Sequence, residues 1–192
     1  MEMSKRQGKL VVVSGPSGVG KSTIVRQAVQ RLGLHLSVSA TTRPRGAGET
    51  DGKDYSFLSK DEFQRRLADG AFLEHAEVFG NHYGTPRDPV ERAMADGQTV
   101  ILEIDVQGGV QVKAAMPEAV MIFILPPRID ELLRRIEARN RGEDEQARQR
   151  RLAKAETEIA AGKLHYEFFV VNDVLDKAVR DVVNIIQEHQ NQ

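Results

Sequence analysis

Gly15-Pro16-Ser17-Gly18-Val19-Gly20-Lys21-Ser22 is a glycine-rich run closed by a lysine and a hydroxyl, followed by Thr23. Glycines at that spacing let backbone N–H groups converge on phosphate oxygens. A helix opening behind them would add its positive N-terminus. Lys21 supplies a point charge for the β and γ phosphates of a nucleoside triphosphate, and Ser22 a hydroxyl for Mg²⁺. A turn with an exposed lysine would use the same residue types. The context decides against it: the run follows Leu10-Val11-Val12-Val13 and precedes the helical apolar period Ile24, Val25, Ala28, Val29, Leu32. The chain is therefore expected to bind a nucleoside triphosphate through residues 15–23.

A second set of candidates lies further along. Arg43-Pro44-Arg45 sits in a turn after Ser37-Val38-Ser39-Ala40, and a guanidinium fork suits a phosphate monoester. Glu74 stands within Phe72-Leu73-Glu74-His75-Ala76-Glu77. Read alone, the arginines could be solvated and Glu74 a solvent-facing strand residue.

These groups need a frame. Apolar runs at 10–13, 99–106, 119–125 and 166–171 alternate with helical patterns, which predicts a parallel sheet covered on both faces. Helices are expected over 21–32 and about 175–188. The stretch 35–97 differs in texture, with short strands, turn glycines and a helix marked by Ser59 and Glu62 as a capping box, Leu58 and Phe63 as its staple and Gly70 past its end. A second helix is expected to start at Thr85-Pro86 and stop at Gly97. The region 128–154 is arginine-rich and reads as two helices joined by a solvated segment. The fold class expected is α/β: a three-layer α/β/α core with a parallel sheet and an inserted α+β subdomain.

Composition narrows the function classes. With 192 residues, one domain with insertions is expected. A formal net charge of −1 argues against a general nucleic-acid coat. The absence of cysteine removes thiolate nucleophiles, disulfides and cysteine zinc sites. No apolar run approaches the roughly 20 residues a bilayer requires, and Met1 to Lys9 leads into no signal-type apolar core. A cytoplasmic protein with neither nucleic-acid nor membrane partners is expected. The five histidines show no metal-ligand clustering.

Several stretches together, namely the phosphate loop, SVSATTR, GETDGKDY, FLEHAEVFGNHYGT, ILEIDVQG, IFILPP, RRLAKA and VVND, resemble guanylate kinase in order and nearly in spacing. The resemblance implies a P-loop core (1–34, 98–138 and 152–192), a GMP-binding subdomain (35–97) and a lid (139–151). It also implies Mg²⁺-dependent transfer of the ATP γ-phosphoryl group to GMP. By that similarity Arg43 and Arg45, with the Tyr55 and Tyr83 hydroxyls, clamp the GMP phosphate. Ser39, Glu74, Thr85 and Asp105 hold the guanine. Arg135, Arg139 and Arg151 join Lys21 and Arg43 as catalytic candidates, and Asn172 with Asp173 borders the adenine. Ser22 is the metal ligand, with Asp105 and Glu103 placed to act through water.

Guanine's N1–H and exocyclic amine form a donor pair that one carboxylate can accept, whereas adenine offers an acceptor at N1. Such a site can reject the wrong base by about 10⁴–10⁵. The match departs from the family in three places. The two arginines of 43–45 stand two apart rather than three, with Gly46 in the usual second position. Arg139-Asn140-Arg141-Gly142 is about one residue longer than the usual lid motif, so Arg139 and Arg141 are interchangeable candidates. His75 stands where an aromatic is common. A related phosphotransferase with another acceptor and a scaffolding module without activity are the competing readings. The guanine-reading set opposes the first, and the intact loop with Lys21 the second.

Overall fold

The computed structural model describes residues 7–78, 80–139 and 145–190. Its main sheet has five parallel strands in the order β2-β7-β1-β8-β9. They are β1 (Leu10–Ser14), β2 (His35–Leu36), β7 (Val100–Glu103), β8 (Val120–Leu125) and β9 (Phe168–Val171). Side chains alternate across this sheet. Val11, Val13, Ile101, Ile122 and Ile124 join one cluster, packed under α1 (Lys21–Leu32) and α7 (Leu175–Gln190). Leu10, Val12, Leu102, Met121 and Phe123 join another, with α3 (Arg87–Ala95) and α4 (Val106–Ala115). Burial on both faces is why these strands read as continuous apolar runs.

Between β2 and α3 the chain forms a second, four-stranded sheet in the order β4-β3-β6-β5. Its strands are β3 (Ala40–Thr41), β4 (Ser56–Phe57), β5 (Phe72–Val78) and β6 (Asn81–Pro86). Helix α2 (Lys60–Ala68) covers this sheet, with Phe63 stacked on Phe72 at 4.5 Å. His35–Leu36, read from the sequence as the start of the inserted piece, pairs with β7 in the main sheet. After β8 come α5 (Ile129–Arg139) and α6 (Glu145–His165).

Several expectations shift in detail. The run 99–106 splits, because Asp105 caps α4 and ends the extended segment: its Oδ1 accepts from the Gly108 N–H at 2.8 Å. The strand expected at Tyr166 begins at Phe168, since the Tyr166 N–H still bonds back to Gly162 of α6. Strand β6 stands in a stretch that was not expected from the sequence to be a strand. The helix expected from Thr85-Pro86 begins at Arg87, because β6 runs through Pro86 and that residue is the cap. Ser59 caps α2 as anticipated, accepting from the Glu62 N–H at 3.1 Å. Glu62 does not complete a reciprocal box; its carboxylate pairs with Arg65 and Arg66 one turn on. Among the described residues, no helix is long and apolar enough to cross a membrane.

Candidate active site

The phosphate loop joins β1 to α1 and is shaped by its glycines. Gly20 takes a left-handed φ of 98° and stands as the N-cap of α1 without a side-chain cap. The first N–H groups of that helix are thus left to an anion. A Cβ on Gly20 would lie 2.5 Å from Asn172 Nδ2, so only glycine fits there. Asn172 is itself buried, donating from Nδ2 to the Val19 carbonyl at 2.8 Å. The side chain placed beside adenine by resemblance therefore also braces the loop from behind. Lys21 folds over the loop, its Nζ donating to the Gly15 and Pro16 carbonyls at 2.5 and 3.2 Å. Burial pushes its pKa down, against the opposing pull of Glu103, Glu158 and Asp105. Ser22, on the first turn of α1, donates to Glu103 Oε1 at 2.5 Å, while Thr23 is exposed beside it.

Beyond the loop opens a cavity of about 420 Å³ between the two sheets. Gly15, Ser17 and Lys21 form one side; Ser39, Tyr55, Glu74 and Tyr83 form another; Glu103, Asp105, Lys154 and Glu158 complete it. Glu74 is 6% exposed and accepts from the Thr85 hydroxyl at 2.7 Å. Burial, with Asp105 nearby, pushes its carboxyl up to about 7, against the hydrogen bonds from Thr85. A buried carboxylate with one satisfied oxygen, in a cavity wall, is built to receive further donors.

The acceptor turn is held by an unforeseen partner. Arg43 gives both Nη atoms to Glu49, at 2.9 and 2.8 Å, and Glu49 also accepts from the Gly46 N–H at 2.7 Å. The Arg43 hydrogen bond is the main reason the Glu49 carboxyl falls to about 2. Arg43 lies over the Tyr55 ring at 5.3 Å, and Tyr55 stands edge-on to Tyr83 at 6.1 Å. The Tyr55 and Tyr83 phenols thus line the cavity, and the Arg43 guanidinium stands against Tyr55. Arg45 stands exposed on the same turn.

The basic candidates of α5 and α6 are placed unevenly. Arg135 donates to the Asn172 carbonyl at 3.3 Å from each Nη and pairs with Glu131. Arg151 is half-buried on α6. The Arg139 side chain and all of 140–144, including Arg141 and much of the expected lid, lie outside the described residues. The sequence reading missed Glu49, Gly108, Lys154 and Glu158. A signal existed for the last two, which fall at i and i+4 on the helix carrying Arg151.

For a metal, the oxygens of Ser22, Glu103 and Asp105 are hard donors of the kind Mg²⁺ takes, and Mg²⁺ usually keeps several waters and borrows phosphate oxygens. The residues present therefore fit that ion.

Comparison with known proteins agrees with this geometry. The family model described as guanylate kinase matches residues 7–189. A guanylate kinase of Thermus thermophilus is 48% identical over 184 residues, spanning 96% of this chain and 82% of the relative. One from Thermosynechococcus vestitus is 52% identical, spanning 90% of each. Among solved structures, the guanylate kinase of Anaplasma phagocytophilum superposes with a TM-score of 0.80 at 35% identity, spanning 99% of this chain and 90% of that one. A gluconokinase of Sinorhizobium meliloti, at 15% identity and a TM-score of 0.50 over 97% and 95% of the two chains, shares the fold.

Proposed function

The chain belongs to the guanylate kinase family and transfers a phosphoryl group from ATP to GMP, and from that premise we propose how its residues divide the work. The phosphate loop, 15–23, binds ATP. Its backbone N–H groups take the phosphates, Lys21 turns from the Gly15 and Pro16 carbonyls to the β and γ oxygens, and Asn172 keeps the loop in shape. Ser22 would hold Mg²⁺, with Asp105 and Glu103 holding its waters. When bound, that ion would supply positive charge to the ATP phosphates.

The acceptor enters from the second sheet. Glu74 accepts from guanine N1–H and the exocyclic amine, and Thr85 holds the carboxylate in position. Ser39 and Asp105 complete the base pocket. Arg43, Tyr55 and Tyr83 take the GMP phosphate, Arg43 by exchanging Glu49 for substrate oxygens. Arg45, exposed on the same turn, would reach the phosphate only through a rearrangement of that turn, and Arg43 carries the clamp. Arg135, Arg139 and Arg151 stabilise the transferring group from α5 and α6. The attacking phosphate oxygen is already ionised at neutral pH, so no general base is required and catalysis is alignment plus charge stabilisation.

The carrying observation is that buried Glu74, held by the Thr85 hydroxyl, and Lys21 of the phosphate loop line one cavity. We read the division of the chain in the same way: a core of 1–34, 98–138 and 152–192 to which the His35–Leu36 strand adds, a GMP-binding piece over the rest of 35–97 and a lid at 139–151. We place the reaction in the cytoplasm, in purine metabolism and recovery of GMP. The test is ADP release from Mg-ATP with GMP, dGMP, AMP, UMP and ribose bisphosphate offered in parallel. GMP should be strongly preferred over AMP and UMP. Transfer to another acceptor would mean that the Glu74 pocket reads a different group.

A further inference from the structure

One wall of the cavity comes from α6, through Lys154 and Glu158. The two stand one helical turn apart, so a single helix face turns both toward the phosphate loop. The Glu158 side chain is 14% exposed and that of Lys154 58%, with Nζ and Oε1 3.9 Å apart. That separation is an ion pair without a direct hydrogen bond. Glu158 also faces the backbone N–H of Ser17 in the phosphate loop, and both side chains act electrostatically on Lys21.

The charge balance of this cavity is unfavourable for its substrates. Glu74, Glu103, Asp105 and Glu158 line it, and the described cations lining it are Lys21 and Lys154. Two nucleotides add several phosphate charges to that space, and a carboxylate beside them repels. Glu158 is tolerable there only with a cation at hand. Lys154 suits that purpose. Its apolar stem lets the ammonium swing while the helix stays fixed, and it holds its present partner loosely.

We propose that Lys154 is a further phosphoryl-binding residue of this enzyme, its ammonium leaving Glu158 to contact the γ-phosphoryl group when both nucleotides are bound. Glu158 is the positioning residue that keeps Lys154 at the cavity wall in the free protein. No bond forms at Lys154; it supplies charge to a group that stays anionic throughout transfer. The proposal rests on the ATP:GMP reading above.

The test compares the unsubstituted protein with Lys154→Ala, Lys154→Arg and Glu158→Gln. It reads kcat, both KM values, the melting temperature, and calorimetric binding of a non-hydrolysable ATP analogue with Mg²⁺ and GMP. Lys154→Ala should lower kcat by about 10- to 100-fold and weaken the analogue at least about fivefold, with melting unchanged. Lys154→Arg, keeping the charge, should recover most of both. Glu158→Gln should cost less in kcat than Lys154→Ala, because the ammonium remains but is no longer held. Unchanged kcat and analogue affinity in Lys154→Ala would overturn the proposal. If the unsubstituted protein bound the analogue yet transferred nothing to GMP, the kinase reading itself would fail. Analogue affinity in Lys154→Ala would then decide the Lys154 proposal alone.

Discussion

Gly108 lies against the Glu74 carboxylate: a Cβ on that glycine would stand 2.7 Å from Oε2. Gly108 also gives its N–H to Asp105 at the start of α4. One turn of helix thus sets both the depth to which Glu74 reaches and the orientation of Asp105. The base pocket is a joint product of the inserted sheet and the core, so its shape depends on how α4 packs on β5.

Gly108→Ala should therefore displace Glu74 without touching the phosphate loop. The expected outcome is a rise of about 10- to 100-fold in KM for GMP, with KM for ATP nearly unchanged. Steady-state kinetics with each substrate varied in turn measures both.

Glu74 also predicts a pH dependence. Its carboxyl sits near 7 in the free protein, chiefly through burial. Guanine's two donors require the ionised form, so the GMP complex favours loss of that proton. Affinity for GMP should rise as pH goes from 6 to 8, by up to about tenfold, and level off above. Calorimetry across that range in two buffers of different ionisation enthalpy would read the proton released on binding. For the fold itself the sign is opposite. The raised carboxyl stabilises the folded chain at low pH, and that contribution is lost as pH rises from about 4.5 to about 7.

At the acceptor turn, Arg43→Ala should lower kcat/KM for GMP by at least about 10²-fold, since a bidentate guanidinium is lost. Arg45→Ala should cost no more than several-fold, because Arg45 stands exposed on the shortened turn. Equal losses from the two would show that the turn rearranges to bring both to the phosphate.

Asn172→Ala should remove the hydrogen bond to the Val19 carbonyl and leave space behind Gly20. A cost of about 1–2 kcal/mol is expected, seen as a fall of several degrees in melting temperature. Weaker ATP binding should accompany it, with KM for GMP little affected.

Much of this arrangement was legible in the sequence. The strand-loop-helix opening was, because β-branched runs, glycines and the 3.6-residue period are all local signals. α1 runs over the span that its apolar period marked. The core strands were readable because burial on two faces leaves no polar alternation. β6 was not, since Asn81-His82-Tyr83-Gly84 is a poor strand by composition and is extended through pairing with both β5 and β3. The same holds at the site. Lys21 and Glu74 stand in recognisable strings, whereas Glu49, Gly108 and Glu158 matter through partners 6, 34 and 141 residues away in sequence. Asp105 is the mixed case. Its string marked it for the site, but its capping of α4 emerges only from the hydrogen bond to Gly108.

The most direct test of the account is kcat/KM for GMP and for AMP, measured on the unsubstituted protein and on Glu74→Gln by ADP release. The unsubstituted protein should prefer GMP by about 10⁴-fold or more. Glu74→Gln should lose most of that preference through a fall in the GMP value, while Mg-ATP binding holds. A Glu74→Gln protein that kept the full preference for GMP would contradict it.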